Sequence, residues 1–405
     1  MVDVSARIEE QATVAAVRRR DAKAIPASVS VLEGDEGLEA YRRFAADAVF
    51  APPQSPEWVD AWEAEARPDL IFVTVGIGAM SAAALALEVI RLGPFRVARF
   101  ISGSHANGNF APVSPAAGRL RRSDIEAVFA AVRAARPDVD LVAMERMLVE
   151  HAGVANPFAA MASGASPNVS LAVDLEGGFE ALLKRSSGKR KRKKHRSQIR
   201  KFEAAGGYQM LEARTPAEID RVLDAFFEMK HVRLTKMGVE DVFAPMDVQA
   251  FFRRLFKHAA SQERPAFTLH ALEVGGIIRA VTGSSRTEDR IICEFGAIIE
   301  DELAHASPGD FMFFEQIGNA CAEGLPYYDF SVGDELYKRL WCDVETTHLD
   351  LFVPLTLKGR MLAMAERART RLTAFVKGNA IVWAALKKLR RRAPLQPAEA
   401  TDIDD

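Results

Sequence analysis

Two stretches of this chain pass through the same succession of elements, and that repetition limits the fold more than any single motif. Residues 70–144 read as three strand-like runs (70–75, 82–91 and 95–101), a Gly/His/Asn loop (103–112), a periodic helix (119–135) stopped before Pro137, and a strand (139–144). Residues 267–332 read as a meander of three strands (267–274, 277–285 and 290–299), a polar loop (301–308), a helix (310–323) and a strand (328–332). Gly275-Gly276 closes the first hairpin of the second meander tightly. A meander joined to a last strand through a helix gives a mixed sheet, so the repeated pattern predicts two α/β units related by duplication. At 405 residues the chain is long enough for two cores.

The remaining segments arrange themselves around those units. Residues 1–27 read as a polar lead-in, and residues 28–155 as the first unit, with helices over 37–46 and 57–66, the latter opened by Ser55-Pro56. Residues 156–170 are rich in small residues, Pro and Ser and read as an interdomain linker. Residues 171–356 form the second unit, with a helix or helix pair over 179–203 interrupted at Gly188, and further helices over 218–231 and 248–260. From residue 357 the character changes. Met361, Met364, Ala365, Ala368, Leu372, Phe375 and Val376 fall at helical spacing, Gly378-Asn379 interrupts, and an apolar run with Trp383 precedes the basic KKLRRR. Residues 357–393 thus read as a basic amphipathic helical tail, suited to an anionic membrane or to the protein's own surface, and residues 394–405 as a disordered end.

Charge and cysteine content remove some functions. A net charge of −2 provides no global field for a polyanion, so the local distribution decides. Three cysteines (Cys293, Cys321, Cys342) make no disulfide framework and fit a reducing compartment. The charged N-terminus lacks an apolar signal core and no run spans a bilayer, so the expected location is the cytoplasm or the inner membrane face. The cysteines lack tight ligand pairs with His305 and His348, and no metal is expected.

Four features carry chemistry. First, the loop DELAHASPGDF opens a helix whose leading N–H groups have no internal partner, an anion cradle built from Ser307, Gly309, Asp310 and Phe311; an ordinary helix cap is the alternative. Second, the exit from the last strand gathers Asp329, Asp334, Tyr337, Lys338 and Trp341, a density suited to acid/base work and substrate docking, or to a capped surface turn. Third, Glu294 sits among Ile292, Cys293 and Phe295, where desolvation would raise its pKa and make it a base near neutrality unless alternation turns it outward. Fourth, residues 184–201 hold eleven Lys/Arg and no acid. Arg190, Arg196 and Arg200 of that run are candidates for a phosphorylated ligand, with an anionic membrane, nucleic acid or plain solvation as alternatives. No aromatic residue interleaves the run, so base stacking has no support there. Lacking an apolar residue before Gln198, the run offers no apolar face to bury.

Residues 171–343 resemble the GNAT-like acetyltransferase family of bacterial cellulose and exopolysaccharide biosynthesis, itself similar to the Fem peptidyltransferases that pair two GNAT folds. The residues that carry this are KRSSGKRKRKKHRSQIRKFEAAGG (184–207), FFEMKHVRLTKMG (226–238), SPGDFMFFEQI (307–317) and YYDFSVGDELYKRLWCD (327–343). The resemblance implies tandem GNAT-like domains with mixed twisted sheets and a C-terminal helical tail. It also implies acetyl-CoA or another acyl-CoA as co-substrate, its pyrophosphate at Ser307–Asp310, and direct acyl transfer to a sugar, polysaccharide precursor or lipid-linked acceptor. Glu294 or Asp329 would be the base and Tyr337 the acid on the leaving thiolate. The usual GNAT phosphate loop has a Gln or Arg followed by spaced glycines; here it is HASPGD. Two alternatives stand beside this reading: a Fem-like ligase using aminoacyl-tRNA, and a non-catalytic docking protein for nucleic acid or membrane on a GNAT scaffold.

Overall fold

A computed structural model describes residues 27–378. The polar lead-in up to residue 26, Trp383, the basic run 387–392 and the end at 394–405 lie outside the described residues.

The first unit contains β1 (Ala27–Leu32), α1 (Gly34–Ala45), α2 (Pro56–Ala66), β2 (Asp69–Ile77), β3 (Met80–Leu92), β4 (Phe95–Phe100), α3 (Arg122–Ala135) and β5 (Leu141–Met147). A small ribbon, β6 (Glu150–His151) and β7 (Val154–Ala155), leads to β8 (Gly164–Asp174). The second unit contains α4 (Gly178–Arg185), α5 (Gly188–Ala204), β9 (Tyr208–Glu212), α6 (Pro216–Met237), α7 (Met246–Ala260), β10 (Phe267–Val274), β11 (Ile277–Arg286), β12 (Arg290–Ile298), α8 (Pro308–Ala322) and β13 (Tyr327–Val332). The short α9 (Leu336–Arg339), β14 (Val344–Pro354) and α10 (Leu357–Gly378) follow.

All the long strands join one sheet in the order β1-β2-β3-β4-β5-β14-β8-β13-β12-β11-β10-β9. Each half runs antiparallel through four strands and then meets one parallel neighbour. That contact covers residues 97–99 with 141–143 in the first half and 290–292 with 327–329 in the second. Beyond those pairs the two parallel strands of each half no longer bond to each other, and each half holds a fork.

The expected linker does not behave as one. Residues 157–161 form a 3-10 turn and β8 runs through the middle of the sheet, between β13 and β14. Its small residues mark close packing: Ser166, Ser170 and Ala172 are all buried. β8 thereby completes the second half's sheet, while β14, which follows that half, pairs with β5 of the first. The halves also share an aromatic core. Trp58 and Trp62 of α2 meet Phe251 of α7 edge-on at 5.0 and 5.1 Å between ring centroids. Rings so placed add a small attraction to the area they bury.

Candidate active site

The fork of the second half starts with an irregular strand. Gly283 of β11 lies opposite Phe295 and Ser284 opposite Cys293, so Glu294 is the extra residue of a β-bulge. Gly283 is required there: an added Cβ would stand 2.1 Å from the Phe295 ring. That ring enters the aromatic core, 4.3 Å from Phe226. Ser285 Oγ donates to Glu294 Oε1 at 2.6 Å, while Oε2 is buried with no hydrogen-bond partner. Burial pushes the Glu294 carboxyl up to about 8, opposed by the Ser285 hydrogen bond and helped by the charge of Asp329.

Asp329 stands on β13 opposite Ile292. Its Oδ1 accepts the Ser331 N–H at 2.7 Å and its Oδ2 the Arg290 guanidinium at 3.4 Å. Ser331 has φ +58° and lies where the pairing with β8 shifts register, so Asp329 holds a second bulge in place. Burial raises the Asp329 carboxyl, and Arg290 pulls it back. Asp329, Ser331, Arg290, His151, Ser170 and His348 face a cavity of about 270 Å³ between the halves. His348 Nε2 lies 3.2 Å from Ser170 Oγ, and burial lowers its pKa to about 4, so it is neutral.

The exit from β13 is more structural than its composition suggests. Tyr337 stacks on Phe313 at 5.7 Å and 9°, and burial raises its phenol well above the ordinary value, so the free protein holds it protonated. Asp334 pairs with Arg339 at 2.5 Å. Lys338 and Trp341, expected to bind substrate, are committed to the fold. The Lys338 ammonium is buried, donating to Val332 O at 3.0 Å and pairing with Glu335 at 2.9 Å. Trp341 is buried in the core with Leu182, Ile317 and Phe330.

At the start of α8, Ser307 has φ +56°, and a Cβ on Gly309 would meet Ile298 Cγ2 at 2.9 Å. The carboxylate of Asp310 is held by Lys194 at 3.0 Å. Phe311 is fully buried and stacks on His195 at 4.8 Å and 7°, so its ring is core and only its backbone belongs to the helix start. Gln198 Nε2 donates to the carbonyls of Ala306 at 2.9 Å and Ser307 at 3.0 Å, leaving its Oε1 buried and unpartnered. The basic run therefore has a face to bury after all, a polar one. Lys191, His195, Gln198 and Phe202 recur at helical spacing along α8. The Lys191 ammonium sits 3.7 Å over the Trp341 ring, and burial lowers its pKa to about 8. Gly188 allows the helix to start there, since a Cβ would stand 2.2 Å from Leu183 O. Arg190, Arg196 and Arg200 are exposed on the outer face of α5. Lys194, Gln198, Ser285 and Arg290 were not singled out from sequence. A three-to-four residue spacing of polar groups within the basic helix was the available signal for the first two.

Residues 189–339 match the family described as acetyltransferase (GNAT) domain. Among solved structures, FemX is similar over 84% of this chain and 100% of that chain, at 10% identity and a TM-score of 0.54. The C-terminal domain of a putative lysylphosphatidylglycerol synthetase from Agrobacterium fabrum is similar over 84% of this chain and 96% of that chain, at 12% identity and a TM-score of 0.48. A tandem GNAT protein from the clavulanic acid biosynthesis pathway is similar over 82% of this chain and 99% of that chain, at 14% identity and a TM-score of 0.47. No curated protein matches the sequence. The match to the acetyltransferase (GNAT) domain thus falls on the second half of a mixed α/β fold built of two similar halves, and the likeness to FemX is one of fold.

Proposed function

We propose that the second half transfers an acyl group from a coenzyme A thioester to an amine or hydroxyl of a glycan, polysaccharide precursor or lipid-linked acceptor. The observation that carries this is Glu294: a carboxyl with a pKa of about 8, one oxygen positioned by Ser285 and the other unpartnered, at a strand fork. Such a group is neutral enough to be tolerated in the interior and basic enough to take a proton near neutral pH. It would remove the proton of the attacking amine or hydroxyl as that atom bonds to the thioester carbonyl. The carbon–sulfur bond then breaks, and the thiolate takes a proton from Tyr337. The start of α8, where Gly309 lets the backbone come close and the Lys194 ammonium stands beside it, offers positive charge to a pyrophosphate, although Pro308 has no N–H and the Asp310 and Phe311 N–H groups already donate to Ser307 O.

Calorimetric titration with acetyl-CoA and desulfo-CoA, at low and physiological salt, tests the donor. Saturable binding that survives salt is expected, with Glu294→Gln binding as well as the unaltered protein. No binding at either salt would remove the donor assignment. A second reading, an aminoacyl-tRNA-dependent ligase, is favoured by one observation: Lys189, Arg190, Lys193, Arg196 and Arg200 are all exposed on the outer face of α5. Turnover abolished by ribonuclease and independent of acyl-CoA would select it.

A further inference from the structure

The last helix of the described chain turns an apolar face outward. Helix α10 is capped by Thr356, whose Oγ1 accepts the Gly359 N–H at 3.1 Å and donates to Asp140 at 2.6 Å. Its inner face packs on the sheet through Leu362 and Ala363, beside Phe352 and Leu141. Gly359 lets it lie close, since a Cβ there would stand 1.7 Å from Asp140 O. On the outer side Leu357, Met361, Met364, Leu372 and Phe375 are 75, 70, 71, 64 and 65% exposed. At about 100° per residue these five and Ala368 fall within an arc of about 80°, opposite the sheet. Single exposed apolar residues need no explanation, but an aligned stripe of this length marks a contact surface.

We infer that α10 is a docking helix that lies on an anionic phospholipid surface. Charge selects this occupant. Arg360, Arg367 and Arg371 border one edge of the stripe, and Lys358 and Arg369 the other. The helix has a single acid, Glu366, turned inward and paired with Arg369 at 2.6 Å. Lys358, Arg360 and Arg371 form no ion pair among the described residues. Arg367 is turned in to Phe352 O at 2.9 Å, but a second copy of the helix laid face to face would bring Arg360 and Arg371 together with no acid to answer them, whereas lipid phosphates answer both. The chain that follows in sequence, AIVWAALKKLRRR at 380–392, repeats the same apolar and basic composition. Among the described residues no helix is long and apolar enough to cross a membrane, and an apolar stripe edged by cations seats a helix in the interface plane.

Vesicle sedimentation of the full chain tests this without reference to catalysis. The probes are phosphatidylcholine vesicles with and without about a third phosphatidylglycerol. The protein should pellet with the anionic vesicles only, and less so as salt rises. The double variant Met364→Glu/Phe375→Glu should weaken binding about tenfold or more, and Arg360→Gln/Arg371→Gln should weaken it less. All four positions are on the outward side, so circular dichroism and melting of both variants should match the unaltered protein. Absence of vesicle binding, or binding unchanged in the Glu pair, overturns the proposal. So does a dimer in sedimentation velocity that the Glu pair dissociates, since the stripe would then belong to a second copy.

Discussion

The two halves of the sheet share a plan, yet their forks differ. In the first half the pairing of β3 with β4 is unbroken from Leu87–Phe100 to Leu92–Phe95, with no bulge to carry an extra carboxyl. The loop after β4 then returns into its own fork. Asn109 N donates to Arg146 O at 2.9 Å, Leu148 N to Asn109 O at 2.9 Å, and Ala84 N to Pro112 O at 3.0 Å. Gln54 Nε2 donates to Asn109 Oδ1 at 2.7 Å, and the Arg146 guanidinium fastens Gly103 O at 2.8 Å and Asn107 Oδ1 at 2.6 Å. In the second half the loop leaves for the start of α8, and β12 keeps its bulge and its buried acid. The frame occurs twice, and in the second fork a bulged strand carries Glu294, a carboxyl raised by burial, beside an edge that its following loop leaves unfilled. In the first half the corresponding fork is filled by its own loop.

The sharpest way to break that contrast is Glu294→Gln. On the acyltransferase reading it should lower kcat by about 10²–10⁴ while leaving donor binding in place. A rate within twofold of the unaltered protein would leave the second fork without its base. The matching change in the first half is Asn109→Leu, which strips the loop of three side-chain hydrogen bonds, to Gln54, Ala106 and Glu145. Leaving Gln54 and the Glu145 carbonyl buried and unanswered should cost about 2–4 kcal/mol in urea unfolding, with kcat of the folded fraction unchanged. A fall in kcat at full stability would instead give the first fork a part in the chemistry.

The same carboxyl predicts a pH effect on stability. Its native pKa is raised from near 4.5 to about 8, so the native state binds this proton more tightly than the unfolded chain does. The stabilisation is complete below about 4.5 and is lost as pH rises through about 8. Across that window this one group lowers unfolding free energy by at most about 1.4 kcal/mol per pH unit. Urea midpoints at pH 6 and 7.5 should fall with pH in the unaltered protein and fall less in Glu294→Gln. Parallel slopes would mean that Glu294 is ionised throughout. Turnover, by contrast, should rise through the same window as the base loses its proton.

Much of this arrangement was legible in the chain. The repeated meander, helix and strand gave both units, and the apolar neighbours of Glu294 gave the raised carboxyl. The hidden parts have physical reasons. The first part of β8 looked like a linker because Ser166 and Ser170 are small for packing between two strands, and small residues also mark flexible chain. The face of α5 was invisible because it is polar: His195 stacks and Gln198 bonds carbonyls, where hydropathy looks for leucine. Trp341 and Lys338 looked like ligands' partners because aromatic and charged residues crowd there, but both are buried in internal contacts. The Glu294 bulge depends on Gly283 in the next strand, a pairing that only the fold brings together.

The smallest expected effect concerns the start of α8, where Lys194 stands beside Asp310. Lys194 is half exposed and shares its charge with Asp310, so its attraction for a bound pyrophosphate is screened and partly spent. Lys194→Ala should weaken coenzyme A binding about threefold to tenfold, more at low salt than at high, without moving kcat. Asp310→Asn should act in the opposite direction, because it frees the ammonium and removes a negative charge from the same helix end. If both variants bind coenzyme A as the unaltered protein does, the start of α8 is a plain cap, and the two forks differ in their acid but not in a phosphate site.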